Sequence, residues 1–267
     1  MPRSLGALPR GLLYGGERGW PECSVPGDYV GLGVDNIVGA KIVGAKIVTA
    51  TGDLVEASGD VPWALRRAGG NLGIIADTKV QVYPMTKIQA GFMVYPWEET
   101  SKVLKGLQDL LDAGVSDKLC IQAGFSKGDW SLGMALTYIW PKAETTGTEG
   151  QEWLQKLKDL GTMIFDTIHE TTYKDFQASV SDQISEPVYV STRHVSIEKF
   201  TEKTLAQLTS VCEAMPDEAS CTISVNILHG KATKPKASSS FGTRKPLIMF
   251  HINAVTDEDS TEKIGVE

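Results

Sequence analysis

The chain contains no run of about 20 apolar residues, so nothing in it reads as a transmembrane helix. It carries no Asn-x-Ser/Thr sequon, no Cys-x-x-Cys pair and no His/Cys grouping with metal-ligand spacing. The four cysteines, Cys23, Cys120, Cys212 and Cys221, are too few and too scattered over 267 residues to form a disulfide framework. Basic charge is not in excess. Lys and Arg total 26 against 33 Asp and Glu, and the net charge of −7 argues against nucleic acid or an anionic membrane as the main partner. The opening MPRSLGALPRGLLYGG has basic residues but no continuous apolar core, so no signal peptide is expected and the chain reads as cytoplasmic.

Catalytic signatures are scarce as well. HETTY (His169 to Tyr173) begins like H-E-x-x-H, but Tyr173 stands where the second histidine must be, so no metal is called for. No P-loop and no G-x-S-x-G elbow occurs. The close glycines of YGGERGW and GLGVDN lack the strand–G-x-G-x-x-G–helix setting of a Rossmann site. His194 and His251 lie in strand-like runs and read as hydrogen-bonded structural residues.

What is present is an ordinary globular composition, 42% hydrophobic and 22% charged, in a chain long enough to bury a sizeable core. The β-branched run NIVGAKIVGAKIVTATG followed by DLVEAS reads as a hairpin-like unit, and VPWALRRAG (Val61 to Gly69) as a short helix. The doubled IVGAK (Ile37 to Lys46) is a five-residue insertion. An odd insertion flips every later side chain unless a bulge absorbs it, which places a bulge at Gly39 or Gly44.

Beyond Pro84 the pattern changes, and the boundary there divides two modules, 1–84 and 85–267. Strand KIQAGFMVYPW leads into an amphipathic helix from Glu98 to Gly114, whose Val103, Leu104, Leu107, Leu110 and Leu111 follow the helical period. Strands KLCIQAGFS and WSLGMALTYIW follow, then a helix from Gln151 to Leu160. Strand PVYVSTRHVS precedes a third helix in IEKFTEKTLAQLTSVCEAM, and strands SCTISVNILHG and KPLIMFHINAV come last. This order predicts an α+β fold whose second module is an antiparallel sheet with helices on one face.

Three stretches stand together: GGERGW (Gly15 to Trp20), GLGVDNIVGAKIV (Gly31 to Val43) and WALRRAGGNLGIIADTKVQVYP (Trp63 to Pro84). In this order they resemble the second half of the PCMH-type FAD-binding domain of berberine bridge enzyme-like oxidoreductases. YKDFQ (Tyr173 to Gln177) and SSFGTRK (Ser239 to Lys245) resemble parts of that family's substrate domain, so the likeness runs from about residue 12 to the end. It implies FAD as cofactor, contacted by Gly15, Gly16, Gly19, Asp35, Asn36, Gly70, Asn71, Gly73 and Ile74. The family's Arg-x-Gly-Gly-His loop and attachment cysteine have no counterpart in the sequence, and Cys23 lies after the glycine run. The flavin is therefore expected to be held without a covalent bond, in a chain truncated at both ends relative to the family.

The resemblance implies hydride transfer from a small organic substrate to the flavin, with O₂ as acceptor. No catalytic residue carries over. Tyr138, Tyr189, Arg193 and His194, placed in β runs of the second module, are the candidate substrate contacts, a structural role being weighed equally for each. The competing reading is a flavin-free protein that acts as a cofactor-independent cyclase or isomerase, as a binding module, or not at all. In either case a missing subdomain would leave apolar surface and favour self-association.

Overall fold

The computed structural model describes residues 45–68, 72–77, 87–127, 132–141, 147–181, 189–215, 220–234 and 244–256. They fall into two compact units. One takes the described residues between 16 and 84 and between 229 and 246; the other takes those between 85 and 228 and from 247 onward.

In the smaller unit β1 (Lys46–Val48) lies between β2 (Leu54–Glu56) and β3 (Ile74–Asp77), antiparallel to both. The β1–β2 connection is a tight turn: Gly52 N–H donates to the Thr49 carbonyl at 3.0 Å, with Gly52 at φ +85°. Helix α1 (Val61–Ala68) follows β2, with Pro62 in its first turn, where a missing N–H costs nothing. The expected bulge positions, Gly39 and Gly44, lie outside the described residues. A register shift between β1 and β3 falls at Lys46/Ile47, at the end of the duplicated segment.

The larger unit is built on an eight-stranded antiparallel sheet in the order β7-β4-β6-β5-β10-β11-β9, with β8 also pairing β4. Its long strands are β4 (Ile88–Pro96), β5 (Cys120–Lys127), β6 (Leu132–Pro141), β9 (Tyr189–Ile197), β10 (Ser220–Leu228) and β11 (Leu247–Thr256). The short β7 (Phe165–Asp166) and β8 (His169–Thr171) line the outer edge of β4. HETTY thus supplies an edge strand.

Three helices cover one face: α2 (Thr100–Ala113), α3 (Glu149–Lys158) and α5 (Glu202–Glu213). Val103, Leu104 and Leu107 of α2, Leu154 and Leu157 of α3, and Leu205, Leu208 and Cys212 of α5 pack on Met93, Ile121, Phe125, Leu136, Val225 and Phe250. Each such side chain contributes about 1.5–3 kcal/mol when fully buried. Burial also pushes the Cys212 thiol up to about 12, so it packs as an apolar group. Helix α5 starts where Thr201 Oγ1 accepts from Thr204 N–H at 3.2 Å and Thr204 Oγ1 accepts from Thr201 N–H at 2.7 Å, a reciprocal cap.

The helix α4 (Tyr173–Ser181), for which the sequence analysis names no element, emerges from YKDFQ. Thr172 caps it, its Oγ1 accepting from Asp175 N–H at 3.1 Å. Phe176 of α4 lies 5.7 Å, centroid to centroid, from Phe92, on the sheet face opposite the other three helices. Among the described residues no helix is long and apolar enough to cross a membrane.

Candidate functional site

Residues directly opposed in an antiparallel ladder point to the same side of the sheet, so register sorts the larger sheet into two faces. Alternate residues of β10 show the consequence. Ile223, Val225 and Ile227 go to the helix-covered core, while Thr222, Ser224 and Asn226 go to the other side. That second face carries three cross-strand rows in which small and polar side chains predominate.

The first row is Gly133, Ser126, Thr222, Asn253 and Thr192. Thr192 Oγ1 donates to Asn253 Oδ1 at 2.9 Å, and Asn253 Nδ2 makes a long 3.5 Å contact to Thr222 Oγ1. Ser126 is only 1% exposed, yet its Oγ has no partner among the described residues. The middle row is Val94, Ala135, Gly124, Ser224, His251 and His194. The third is Phe92, Thr137, Gln122, Asn226, Met249 and Ser196.

His251 and His194 close the middle row edge-on, ring centroids 4.6 Å apart and planes at 86°. His251 is half-buried, His194 exposed, and His251 Nε2 is buried without a hydrogen-bond partner among the described residues. Burial first, and the neighbouring His194 second, hold the His251 imidazole below the ordinary histidine range, so it is neutral at pH 7. The face therefore carries hydroxyls, amides and the neutral His251 imidazole, with the small Ser224, Gly124 and Ala135 at the centre of the middle row. Such a surface can hydrogen-bond a small neutral molecule.

The structure separates the candidate substrate contacts. His194 belongs to the polar face. Arg193 is directly opposed to Ile252, on the other side of β9, and its Nη1 donates to the Thr192 carbonyl at 3.3 Å. Tyr138 is corrected outright: it is 0% exposed under α3, with its hydroxyl donating to the Gly150 carbonyl at 2.8 Å. It is a core residue because β6 alternates and its even positions here face the helices. Tyr189 pairs with Thr256 at the start of β9, and its side chain lies outside the described residues. The residues missed from sequence are Ser126, Thr222, Ser224, His251 and Asn253. Their signal is the polar/apolar alternation of CTISVNI and FHINA, which reads as ordinary strand patterning until register aligns the polar members.

Gly15, Gly16, Gly19, Asp35, Asn36, Gly70 and Asn71 lie outside the described residues. Gly73 and Ile74 are described. Gly73 has φ +133°, and a Cβ there would stand 2.4 Å from the Val48 carbonyl oxygen. The space that a side chain would need at this glycine is taken by the backbone of β1. Ile74 is 73% exposed, and with Val48 and the 59% exposed Leu54 it forms an apolar cross-strand row.

No family model matches the chain. Over 242 residues, 90% of its length, it is 63% identical to the FAD-linked oxidoreductase aurO of Gibberella zeae, covering 47% of that protein. The structure of berberine bridge enzyme from Eschscholzia californica aligns with TM-score 0.70 at 16% identity, over 92% of this chain and 54% of that one. In sequence and fold the chain is similar to the berberine bridge enzyme-like FAD-linked oxidoreductases. Xylooligosaccharide oxidase from Myceliophthora thermophila, solved with xylobiose, shares the fold at TM-score 0.68 and 20% identity, over 89% of this chain and 54% of that one. The chain thus spans about half the length of the relatives it matches. Its fold is that of this family: part of a PCMH-type FAD-binding domain followed by the antiparallel substrate domain.

The described residues test the fit to FAD at two points. Gly73 offers no side-chain-sized cradle, because Val48 fills it, and any contact there runs through the glycine backbone. At the second point, the exposed Leu54 and Ile74 flank the partly buried Val48 in an apolar row.

Proposed function

We propose that the chain forms the substrate-binding half, with part of the flavin-binding domain, of an FAD-linked oxidoreductase that oxidises a small organic molecule. The observation that carries this is the polar face of the larger sheet. Polar side chains at buried strand positions cost stability unless something pairs with them, and Ser126 Oγ and His251 Nε2 have no partner among the described residues. A face built this way fits a bound molecule better than it fits a packed core.

When bound, FAD supplies the redox chemistry, accepting a hydride from the substrate and passing electrons to O₂. Ile74 and the backbone at Gly73, together with Gly15, Gly16, Gly19, Asp35, Asn36, Gly70 and Asn71, are the residues proposed to hold it, without a covalent bond. The chain's own task is to bind and orient. Thr222, Asn253, Ser224 and His251 offer hydrogen bonds to a substrate whose reacting carbon must be held in one pose. Relatives named (R)-6-hydroxynicotine oxidase, from Paenarthrobacter nicotinovorans, and carbohydrate oxidase, from Microdochium nivale, support a ring-containing, oxygen-bearing substrate.

A flavin-free binding protein is the second reading, favoured by the filled space beside Gly73. Visible spectra of the purified protein, with and without added FAD, separate the two. Flavin bands that survive gel filtration support the oxidoreductase. A colourless protein whose Tm does not move with FAD sinks it.

A further inference from the structure

We propose that β9 is a docking edge for a second copy of this chain, the two β9 strands pairing antiparallel about a two-fold axis through Val195. The contact needs neither flavin nor substrate, so it stands apart from the oxidoreductase reading.

The two edges of the larger sheet differ. One ends in β7 and β8, two and three residues long, whose Asp166 and Glu170 form ion pairs with Lys158 and Lys87. Short, charged edge strands of this kind resist pairing with another chain. The other edge is β9, whose ladder with β11 runs unbroken through nine opposed pairs, from Tyr189 and Thr256 to Ile197 and Ile248. It holds no proline, lysine or carboxylate, and among the described residues β11 is its one neighbour. Arg193, His194, Val195 and Ser196 are exposed in succession, Val195 by 50%, so both faces of the strand are open here. Alternate residues of such a strand turn their N–H and C=O groups away from β11, and another strand satisfies them.

Charge selects the occupant and its register. About a two-fold axis, the residue on the axis opposes its own copy. With Arg193 or His194 there, two like basic side chains would meet. With Ser196 there, Arg193 would oppose Lys199 of the second copy. With Val195 on the axis, valine meets valine, His194 opposes Ser196 and Arg193 opposes Ile197. Of the four exposed positions, Val195 alone sets no two basic groups against each other. The strand is its own complement in that register, as an isologous contact requires. A single strand seam is a small interface, so the dimer is weak, with a Kd of about 10–100 µM.

Sedimentation of the full chain over a concentration series tests this, with amide hydrogen exchange as the second readout. The wild type should pass from monomer to dimer as concentration rises, and the amides of β9 should gain protection in step. Val195→Lys and Val195→Glu each set like charges against each other on the axis, and each should weaken the dimer about tenfold. An equimolar mixture of the two variants should associate again, because opposite charges then meet. Val195 is exposed, so both variants should keep the wild-type Tm. A wild type that stays monomeric tenfold above that Kd overturns the proposal. So does a dimer indifferent to both variants, a mixture no tighter than either variant alone, or β9 amides whose exchange ignores concentration. Should a variant fail to fold, the concentration dependence of β9 exchange in the wild type decides the matter.

Discussion

The hydroxyl of Tyr138 donates to the carbonyl of Gly150 at 2.8 Å, tying the middle of strand β6 to the first turn of α3. Tyr95 of β4 does the same at the other end of that helix, donating to the Leu157 carbonyl at 3.0 Å. Both hydroxyls are buried, and Gly150 makes room for a third aromatic side chain: a Cβ there would lie 2.7 Å from the Trp140 ring. Two phenols rising from the sheet thus pin both ends of one helix.

Tyr138→Phe and Tyr95→Phe should each lower stability by about 1 kcal/mol, the net worth of one buried hydrogen bond. The residues sit four register positions apart on neighbouring strands, so the double variant should show the sum. Urea unfolding of the three variants measures it. A double variant no worse than either single one would mean that the pins act as a unit.

Burial raises both tyrosine pKa values above the ordinary 10, with a smaller contribution from Asp166 at Tyr95. Above pH 10 the unfolded chain loses these protons and the folded one keeps them. Stability from this source is therefore complete below pH 10 and declines as pH rises beyond it. Phenolate absorbance of Tyr95 and Tyr138 should appear together with unfolding, and replacing both by Phe should flatten the alkaline decline.

Gly91 of β4 has φ +158°, and a Cβ there would meet the Ile168 backbone at 2.6 Å. The chain between β7 and β8 crosses β4 at this point, where Thr167 N–H donates to the Phe92 carbonyl at 2.9 Å and Thr167 Oγ1 accepts from Phe92 N–H at 3.0 Å. Gly91→Ala should cost about 2–4 kcal/mol, because only backbone can move to relieve the clash. A shift in denaturation midpoint of the matching size, with edge-strand amides losing exchange protection first, is the expected result.

The lowered pKa of His251 has the opposite pH sign to the tyrosines. The unfolded histidine takes up a proton near pH 6.5 while the folded one resists, so this contribution is intact above about pH 6.5 and is lost as pH falls below it. Denaturation midpoints measured between pH 7.5 and 5 should fall less steeply in His251→Gln than in the wild type. Parallel slopes would remove the burial argument for this residue.

Local pattern made much of the fold legible. Helix α2 could be read from the spacing of Val103, Leu104 and Leu107, and the six long strands from alternation, because period 3.6 and period 2 are written in consecutive residues. Helix α4 was not legible. Its stabilising contact, Phe176 against Phe92, joins residues far apart in the chain, and its cap at Thr172 follows directly on an edge strand. Tyr138, Arg193 and His194 were equivalent as residues in β runs; only pairing partners divide them, Tyr138 and Arg193 going to one face and His194 to the other.

The sequence by itself determined the order of the six long strands and of the three helices that cover one face of their sheet, the antiparallel class and the family likeness carried by its glycine and Gly-Leu-x-x-Asp-Asn motifs. Tertiary structure alone decided that Gly73 serves the packing of Val48, and that Ser126, Thr222, Ser224, His251 and Asn253 share one face. The physical reason is register. A strand shows which residues alternate, but which side becomes core is fixed only when helices cover one of them.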